Sequence, residues 1–344
     1  MDLDINILPV REIAVNRSNV LKDLMKEFLV EDILRHKIQV VFIDDRGEME
    51  KGRGAGVLRE VLSIFWREFF MSLSVGAEAK VPSIRHDYQK AEWESVAKVL
   101  VFGFSHANYF PISMSLAFFV SSLFGEESVS SQLLIDSFYE YVSKDECETL
   151  QRCGNDEFDP ENDDDVLELL SSYKCYRLPT KEAIPKIILE LAHQELIQKP
   201  KYIAEAWSPI IAQLKSYEEF KNTESLKDMF FLKKPTAKKI VKLLDASPSN
   251  DAERQCFDHL KRFIKSLDEN LLCIFLQFIT GSNTISNDKI DVSFNATSGA
   301  ARTPTAHTCG PLLVIPSTYQ TYNELCEEFT SILRESASWS FAIV

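Results

Sequence analysis

Residues 301–316 read ARTPTAHTCGPLLVIP. The first half of this stretch is polar and holds two possible cations, Arg302 and His307, whereas residues 312–315 are all apolar. Cys309 lies at the junction between the two halves. A thiol beside cationic groups can have a lowered pKa, and the thiolate is the reactive form of cysteine. The stretch therefore predicts that Cys309 is a reactive residue at the edge of a strand.

Helical and strand patterns surround this stretch. Asn250 with Glu253 three residues later indicates a helix start, Gly281 indicates a helix end, and Thr321 with Glu324 indicates a capping box. Alternation of apolar and polar side chains indicates half-buried strands. The predicted elements are helices at 237–245, from 251 onward, at 270–280 and from 321 onward, with strands at 290–294 and 312–315. These elements predict an α+β lobe.

The longer first part of the chain has mostly helical patterns. Apolar spacing predicts helices at 18–36 and 57–71, a helix pair within 92–125 and further helices over 182–231, with one strand at 39–43. The basic segment LKKPTAKK, residues 232–239, contains a proline and is typical of an interdomain hinge. At 344 residues the chain suits two domains. We therefore expect domains over residues 1–232 and 240–344, joined by a hinge at 233–239.

Charge and hydropathy argue against two classes of partner. The chain has 38 Lys and Arg against 52 Asp and Glu, a formal net charge of −14. Nucleic-acid binding needs clustered Lys and Arg, so we expect no nucleic-acid partner and a partner with a basic surface instead. The most apolar stretch, residues 99–125, is interrupted by His106, Asn108 and Pro111. This favours two buried helices over a membrane span, and no membrane partner is expected.

The cysteines and the first residues indicate a reducing compartment. The seven cysteines are odd in number, form no CxxC pair and have no Cys/His spacing typical of zinc, so they are interpreted as free thiols. The opening residues, MDLDINILPV, are acidic with only a short apolar patch, unlike a signal peptide. We expect a cytoplasmic and/or nuclear protein with no metal and no cofactor.

Two other motifs have both a functional and a structural interpretation. Gly52, Gly54 and Gly56 could cradle a phosphate before a helix, but no Gly-Lys-Ser/Thr follows them, so a tight turn is favoured. The acidic run NDEFDPENDDD, residues 155–165, could bind calcium, but it contains a proline and lacks the ligand spacing of an EF-hand. A solvated linker is the better interpretation of this run.

Cys309 and His307 could instead be the pair of a cysteine hydrolase. Residues two apart in an extended segment share a face, but their Cα atoms lie about 6–7 Å apart. This is too far for a dependable thiol–imidazole hydrogen bond of roughly 3 Å. No other histidine is identified as a base. Exchange of an acyl group between two sulfurs needs mainly an accessible thiol and correct positioning, which favours acyl transfer.

Several short motifs resemble the HECT-type ubiquitin ligases. They are AHTC at 306–309, Ile-Thr-Gly-Ser at 279–282, LLVIPSTYQTYNEL at 312–325 and SFAIV at the C-terminus, in an order and spacing similar to the family's C-terminal lobe. Near the N-terminus, Ala55-Gly56 and Arg59-Glu60 resemble the Gly-Gly and Arg/Lys-Glu of the family's N-terminal lobe.

The resemblance implies a bilobal fold and a catalytic cycle. A mostly helical N-terminal lobe would dock the ubiquitin-conjugating enzyme, and a smaller α+β C-terminal lobe, swinging on the hinge, would carry the catalytic cysteine. Cys309 would accept ubiquitin as a thioester and pass it to a lysine of a protein substrate. His307 and Thr308 would shape the site, and Phe341, fourth from the C-terminus, would support transfer. The implied partners are ubiquitin, a conjugating enzyme and a protein substrate.

Two departures from the family leave an alternative open. The family usually continues Thr-Cys with Phe-Asn, whereas this chain has Gly310-Pro311. The region between about residues 135 and 200, where the family docks the conjugating enzyme, looks shortened. The alternative is a degenerate HECT-like module that binds ubiquitin or another partner without efficient transfer.

Overall fold

Helices make up most of the chain, and the strands are few and short. The computed structural model describes residues 9–44, 46–155, 159–299 and 302–334. In chain order the elements are β1 (Val10–Asn16), α1 (Val20–Glu27), β2 (Lys37–Ile43), α2 (Ala55–Ser72), β3 (Ser74–Val75), β4 (Val81–Pro82), α3 (Lys90–Ala107), α4 (Leu116–Phe124), α5 (Ser131–Tyr141), α6 (Lys144–Arg152), α7 (Asp164–Ser172), α8 (Ile184–His193), α9 (Lys201–Ile211), α10 (Thr223–Lys233), α11 (Ala237–Leu243), β5 (Leu244–Ala246), α12 (Asp251–Ser266), α13 (Glu269–Thr280), β6 (Ile290–Asn295), β7 (Thr305–His307), β8 (Leu312–Pro316) and α14 (Tyr322–Arg334). This mixture confirms the predicted α+β class.

Contacts within the chain define two units. The first comprises Met1–Arg67, Val99–Pro111 and Met229–Val344, and the second comprises Glu68–Lys98 and Ile112–Asp228. The first unit therefore joins segments that are far apart in sequence, including Cys309 and the beginning of α2. The bilobal division, with its boundaries at 1–232, 233–239 and 240–344, stays a prediction.

The C-terminal part of the first unit is a four-stranded sheet covered by helices. The strand order is β5-β6-β8-β7, with β5, β6 and β8 parallel and β7 antiparallel to β8. Leu313 and Ile315 of β8 are fully buried because alternate residues of a strand face the same side. Phe263, Phe275 and Phe329 pack together with ring centroids 5.3–6.4 Å apart. These contacts give the sheet one apolar face.

The ends of three helices follow from local sequence signals. Asn250 accepts a hydrogen bond from the Glu253 backbone N–H at 2.9 Å and caps α12, as predicted. Gly281 has a left-handed φ of 78° and ends α13, as predicted. The capping box of α14 forms only in part, because the Glu324 carboxylate accepts from the Gln320 N–H at 3.2 Å while Thr321 accepts from the Glu324 N–H at 3.3 Å.

A small parallel pair and one shortened helix open the first unit. β1 pairs with β2 in parallel register, Val10 opposite Lys37. The sequence predicted β2 but not β1. The predicted helix at 18–36 was too long, since α1 ends at Glu27 and the chain continues through a short 3₁₀ turn at Ile33–Arg35.

The second unit is helical around buried aromatic side chains. Trp207 of α9 is fully buried, with the rings of Phe69 and Phe118 at 6.3 Å and 5.6 Å from its own. All apolar positions of the stripe predicted from residue 184 are buried, namely Ile184, Ile187, Ile188, Leu191, Leu196 and Ile197. The predicted helix pair within 92–125 corresponds to α3 and α4. Over the described ranges, the helices are too short or too polar to span a bilayer.

Candidate functional site

Cys309 lies in the turn of a β-hairpin. β7 and β8 pair antiparallel, with His307 opposite Leu312, and residues 308–311 form the turn between them. The sequence had predicted β8 but not β7. The turn exposes Cys309 and buries Thr308, which is 4% exposed. The thiol is therefore accessible while the residue before it is held in place.

The beginning of α2 packs against this turn. The Cys309 thiol donates a hydrogen bond to the Arg53 carbonyl at 3.3 Å. A Cβ built on Gly54 would lie 3.7 Å from Cys309 Sγ, and one built on Gly56 would lie 2.9 Å from the Cys309 backbone nitrogen. Only glycine allows the backbone to approach this closely. Gly54 and Gly56, which belong to the segment predicted to be a tight turn, therefore leave room for the turn that carries Cys309.

Arg59 of α2 connects two distant backbone segments. Its Nε donates to the Thr280 carbonyl at 2.7 Å, and its Nη2 donates to the Thr308 carbonyl. The residue is only 5% exposed. Burial lowers the pKa of Arg59, and attraction to Cys309 opposes the fall. A buried positive charge therefore lies next to the peptide unit that carries the thiol.

A hydroxyl on the same helix adds a second connection. Ser63 Oγ lies 3.0 Å from the Gly281 carbonyl and accepts a hydrogen bond from the Asn283 N–H at 3.2 Å. Tyr109 donates to the Asn283 side-chain oxygen at 2.8 Å. We call Arg59 and Ser63, with the backbone of 280–283 and of Thr308, the α2 latch. The α2 latch fixes the end of α13 and the cysteine turn to one helix.

The predicted supporting residues fall in different environments. Thr308 belongs to the α2 latch through its carbonyl. His307 is exposed at the end of β7, and among the described residues it makes no hydrogen bond to the thiol. Phe341 lies outside the described residues. Arg302, one of the two cations expected beside the thiol, instead pairs with Glu324 of α14 at 2.7 Å.

Sequence reasoning missed the α2 side of the site. Arg53, Gly56, Arg59 and Ser63 contact the cysteine turn or the end of α13, yet none was assigned to the site. A signal was present, because Ala55-Gly56 and Arg59-Glu60 were the part of the first segment that resembled the HECT family. That resemblance carried no information on which residues of the C-terminal part they contact.

The remaining cysteines differ from Cys309. All seven lie in the described ranges as free thiols, as predicted, and Cys309 is the exposed one. Burial raises the pKa of Cys256 to about 12 and that of Cys273 to about 11, which keeps both protonated. Within the part of the chain that the structure describes, no cluster of His, Cys, Asp and Glu could hold a metal ion.

The arrangement suits nucleophilic acyl transfer. An exposed thiol is accessible to a large acyl donor. The hydrogen-bond partner of the thiol is a backbone carbonyl, which cannot act as a general base.

Comparison with known proteins gives a family for this region. A model of the HECT-domain (ubiquitin-transferase) family matches residues 225–342, which include α11–α14, the four-stranded sheet and Cys309. No curated protein matches the chain significantly. The match covers about a third of the chain; it includes the C-terminal motifs identified in the sequence but not Ala55-Gly56 and Arg59-Glu60. Residues 225–342, the part of the chain that carries Cys309, are therefore similar to the HECT-domain (ubiquitin-transferase) family.

Proposed function

We propose that this protein is a ubiquitin-protein ligase that carries ubiquitin as a thioester on Cys309 and transfers it to a substrate lysine. The observation that supports this proposal most strongly is the position of Cys309, the exposed cysteine, in a hairpin turn inside the matched region. The partners would be ubiquitin, a conjugating enzyme and a protein substrate. The net charge of −14 suits partners with basic surfaces.

The chemistry has two balanced steps. In the first, the Cys309 thiolate attacks the thioester carbonyl between ubiquitin and the conjugating enzyme, and the enzyme's sulfur leaves as a thiolate. In the second, the neutral amine of a substrate lysine attacks the new thioester, the Cys309 thiolate leaves, and the nitrogen loses a proton as the amide forms. The first step exchanges one thioester for another, so positioning and accessibility are its main requirements.

The neighbouring residues would have distinct roles in this cycle. Thr308, buried and anchored to α2, holds the turn that presents the thiol. His307 is exposed beside it and would meet the incoming acyl donor. Phe341 would support transfer to lysine. We propose a cytoplasmic or nuclear location, where seven free thiols persist.

Cys309→Ser provides a direct chemical test. A serine at this position would form an oxygen ester with ubiquitin, which thiol reductants leave intact and mild base cleaves. The expected result is that the reductant-sensitive adduct of the wild type becomes reductant-resistant in Cys309→Ser. Cys326→Ser, which changes a half-buried thiol on α14, is the matched control and should keep the sensitive adduct. A reductant-sensitive adduct on Cys309→Ser would place the acceptor elsewhere.

A further inference from the structure

Lys233, the first residue of the predicted hinge, is a buried lysine at the end of α10. It is 6% exposed. Its Nζ donates to the main-chain carbonyl of Asn108 at 2.6 Å and to the side-chain oxygen of Asn108 at 2.7 Å. The same Nζ lies 5.5 Å from the ring centroid of Phe104. Hydrogen bonds and an aromatic face offset part of the hydration that a buried ammonium loses. These contacts fix Lys233 to the end of α3.

Asn108 has a backbone conformation that suits this contact. Its φ is 48°, in the left-handed region. Asn and Asp are several-fold enriched there among residues other than glycine. The Asn108 N–H binds the Phe104 carbonyl at 3.0 Å, as in a left-handed turn at the C-terminus of a helix. Asn108 therefore ends α3 and binds Lys233 with both of its oxygens.

The main chain of Lys233 binds the segment that follows α13. The Lys233 carbonyl accepts a hydrogen bond from the Ile285 N–H at 3.0 Å. That segment is a buried turn held by its own hydroxyl groups, since Thr280, Ser282 and Thr284 are at most 3% exposed. The Ser282 N–H donates to Thr280 Oγ1 at 3.1 Å, and the Thr284 N–H donates to Ser282 Oγ at 3.2 Å. Residues 280–285 are therefore internally bonded as well as bound to Lys233.

The beginning of this turn is bound to α2 through the α2 latch. Arg59 donates to the Thr280 carbonyl and to the Thr308 carbonyl. Hydrogen bonds therefore continue from Lys233, through the 280–285 turn, to the cysteine turn. Residues at the two ends of this series are far apart in sequence and are joined by the tertiary fold.

We propose that Lys233 is a positioning residue for Cys309. Its ammonium, bound to both oxygens of Asn108, fixes the start of the predicted hinge, and its carbonyl holds Ile285 and so the turn that binds α2. We call Lys233, Asn108 and Ile285 the Lys233 joint. Bending of the predicted hinge then begins after Lys233. Lys233 contacts no reacting atom, so its role in loading rests on the function proposed above.

Hydrogen exchange followed by mass spectrometry tests the Lys233 joint. Lys233→Met keeps an unbranched side chain beside Phe104 but cannot donate a hydrogen bond. Exchange in the peptides that contain Ile285 and Cys309 should be about tenfold faster in this variant, because a hydrogen bond from a charged group is lost and local opening becomes easier. Lys234→Met changes the next lysine, which is exposed and lies 3.7 Å from Glu269. It is the matched control and should exchange as the wild type does.

Asn108 provides a second test with little risk to folding, because it is exposed. Asn108→Gly keeps the left-handed φ and the main-chain carbonyl but loses the side-chain oxygen. Asn108→Asp keeps an acceptor oxygen at the same place. Exchange near Ile285 should be several-fold faster in Asn108→Gly and unchanged in Asn108→Asp. Equal exchange in these two variants would show that the side-chain bond does not hold Lys233 and would overturn the proposal, even if Lys233→Met does not fold.

Ubiquitin loading separates a positioning role from a purely structural one. Lys233→Met should load Cys309 several-fold more slowly at saturating charged conjugating enzyme, because small displacements of a reacting group slow its reaction. The half-saturating concentration of the conjugating enzyme should stay the same, since positioning of the thiol and not binding is changed. Asn108→Asp should load at the wild-type rate. Loading by Lys233→Met at the wild-type rate would overturn the positioning role.

Hydrogen exchange requires no ubiquitin, so the two proposals fail separately. Faster exchange in Lys233→Met, in a protein that never loads ubiquitin, would support the Lys233 joint and contradict the ligase function. Loading on Cys309 with wild-type exchange in Lys233→Met and Asn108→Gly would support the ligase function and contradict the role of Lys233.

Discussion

Gly56 and Thr308 touch at a place where no other residue than glycine fits. A Cβ built on Gly56 would overlap Thr308 Oγ1 and would lie 2.7 Å from the Thr308 carbonyl carbon. The Thr308 carbonyl carbon and the Cys309 nitrogen, which would lie 2.9 Å from that Cβ, are backbone atoms of the cysteine turn and cannot rotate away as a flexible side chain could. The backbone at the beginning of α2 can therefore contact the turn that carries Cys309 because Gly56 has no side chain.

Gly56→Ala should displace the cysteine turn from α2. Alanine favours a helix over glycine by up to about 1 kcal/mol, which partly offsets a clash of about 1–3 kcal/mol, so the free energy of unfolding should fall by about 1–2 kcal/mol. Ubiquitin loading should slow by about tenfold to a hundredfold, because small displacements of a reacting group have effects of that size. Single-turnover loading and thermal unfolding of the same preparation would measure the two effects separately.

Gly310→Ala is the matched control for this variant. Gly310 directly follows Cys309, and a Cβ built there meets no atom of the described residues within 4 Å. Loading by Gly310→Ala should stay within about twofold of the wild type, as expected for a surface change without a contact. Equal slowing of both variants would show that the Gly56 contact has no special role.

Local signals predicted the C-terminal elements well because each depends on neighbours in sequence. The Asn250 cap and the Gly281 stop involve residues three or four apart, so α12 and α13 were predicted near their observed bounds. The strands β5 and β7 are three residues long, too short for an alternating pattern to be distinguishable. They form because neighbouring strands supply their hydrogen bonds.

The site itself was only half predictable. Cys309 was predicted to be the reactive residue from its polar flank and the family motif, and this stays a prediction, whereas Arg59 lies 249 positions before Thr308. No periodicity connects residues that far apart, and the glycines at 52–56 allowed several interpretations until their neighbours were known. The α2 latch is a property of the tertiary fold and not of any one stretch.

Gly281→Ala should destabilise the fold more than a left-handed φ alone explains. Gly281 has φ +78°, and a Cβ there would lie 2.6 Å from the Gly56 carbonyl oxygen. Gly299 has φ +63°, and a Cβ there would meet nothing within 4 Å in the part of the chain that the structure describes, so it supplies the backbone effect without the clash. We expect Gly299→Ala to lower the free energy of unfolding by about 1–2 kcal/mol. Gly281→Ala should lower it by about 1–3 kcal/mol more than that. Urea unfolding of both variants measures these losses. Equal losses of unfolding free energy would show that the clash with Gly56 does not destabilise the Gly281 variant.

Glu60 should make stability depend on pH. Burial raises its pKa to about 7 from an ordinary value of 4.5, against the opposing hydrogen bond from Arg17, and Glu60 Oε2 has no hydrogen-bond partner among the described residues. The folded state therefore holds a proton that the unfolded state releases between about pH 4.5 and 7. This contribution is fully present below pH 4.5 and is lost as the pH rises through about 7.

Glu60→Gln should remove that pH dependence. Stability measured by urea unfolding at several pH values should fall less steeply from pH 5 to 7 in the variant, by up to about 1.4 kcal/mol per pH unit. Glu48→Gln, at an exposed position of the preceding loop, should keep the wild-type slope. Parallel curves for wild type and Glu60→Gln would mean that Glu60 is ionised in the folded protein at these pH values.

Loading of Cys309 in a single turnover tests the central claim most directly. Conjugating enzymes charged with labelled ubiquitin would be mixed with wild type, Cys309→Ala and Cys326→Ala, and the products separated with and without reducing agent. We predict a reductant-sensitive ubiquitin adduct on wild type and Cys326→Ala that is absent from Cys309→Ala. An adduct that persists in Cys309→Ala, or no adduct with any of a broad panel of conjugating enzymes, would contradict a ligase acting through Cys309; the second result would favour a module that only binds.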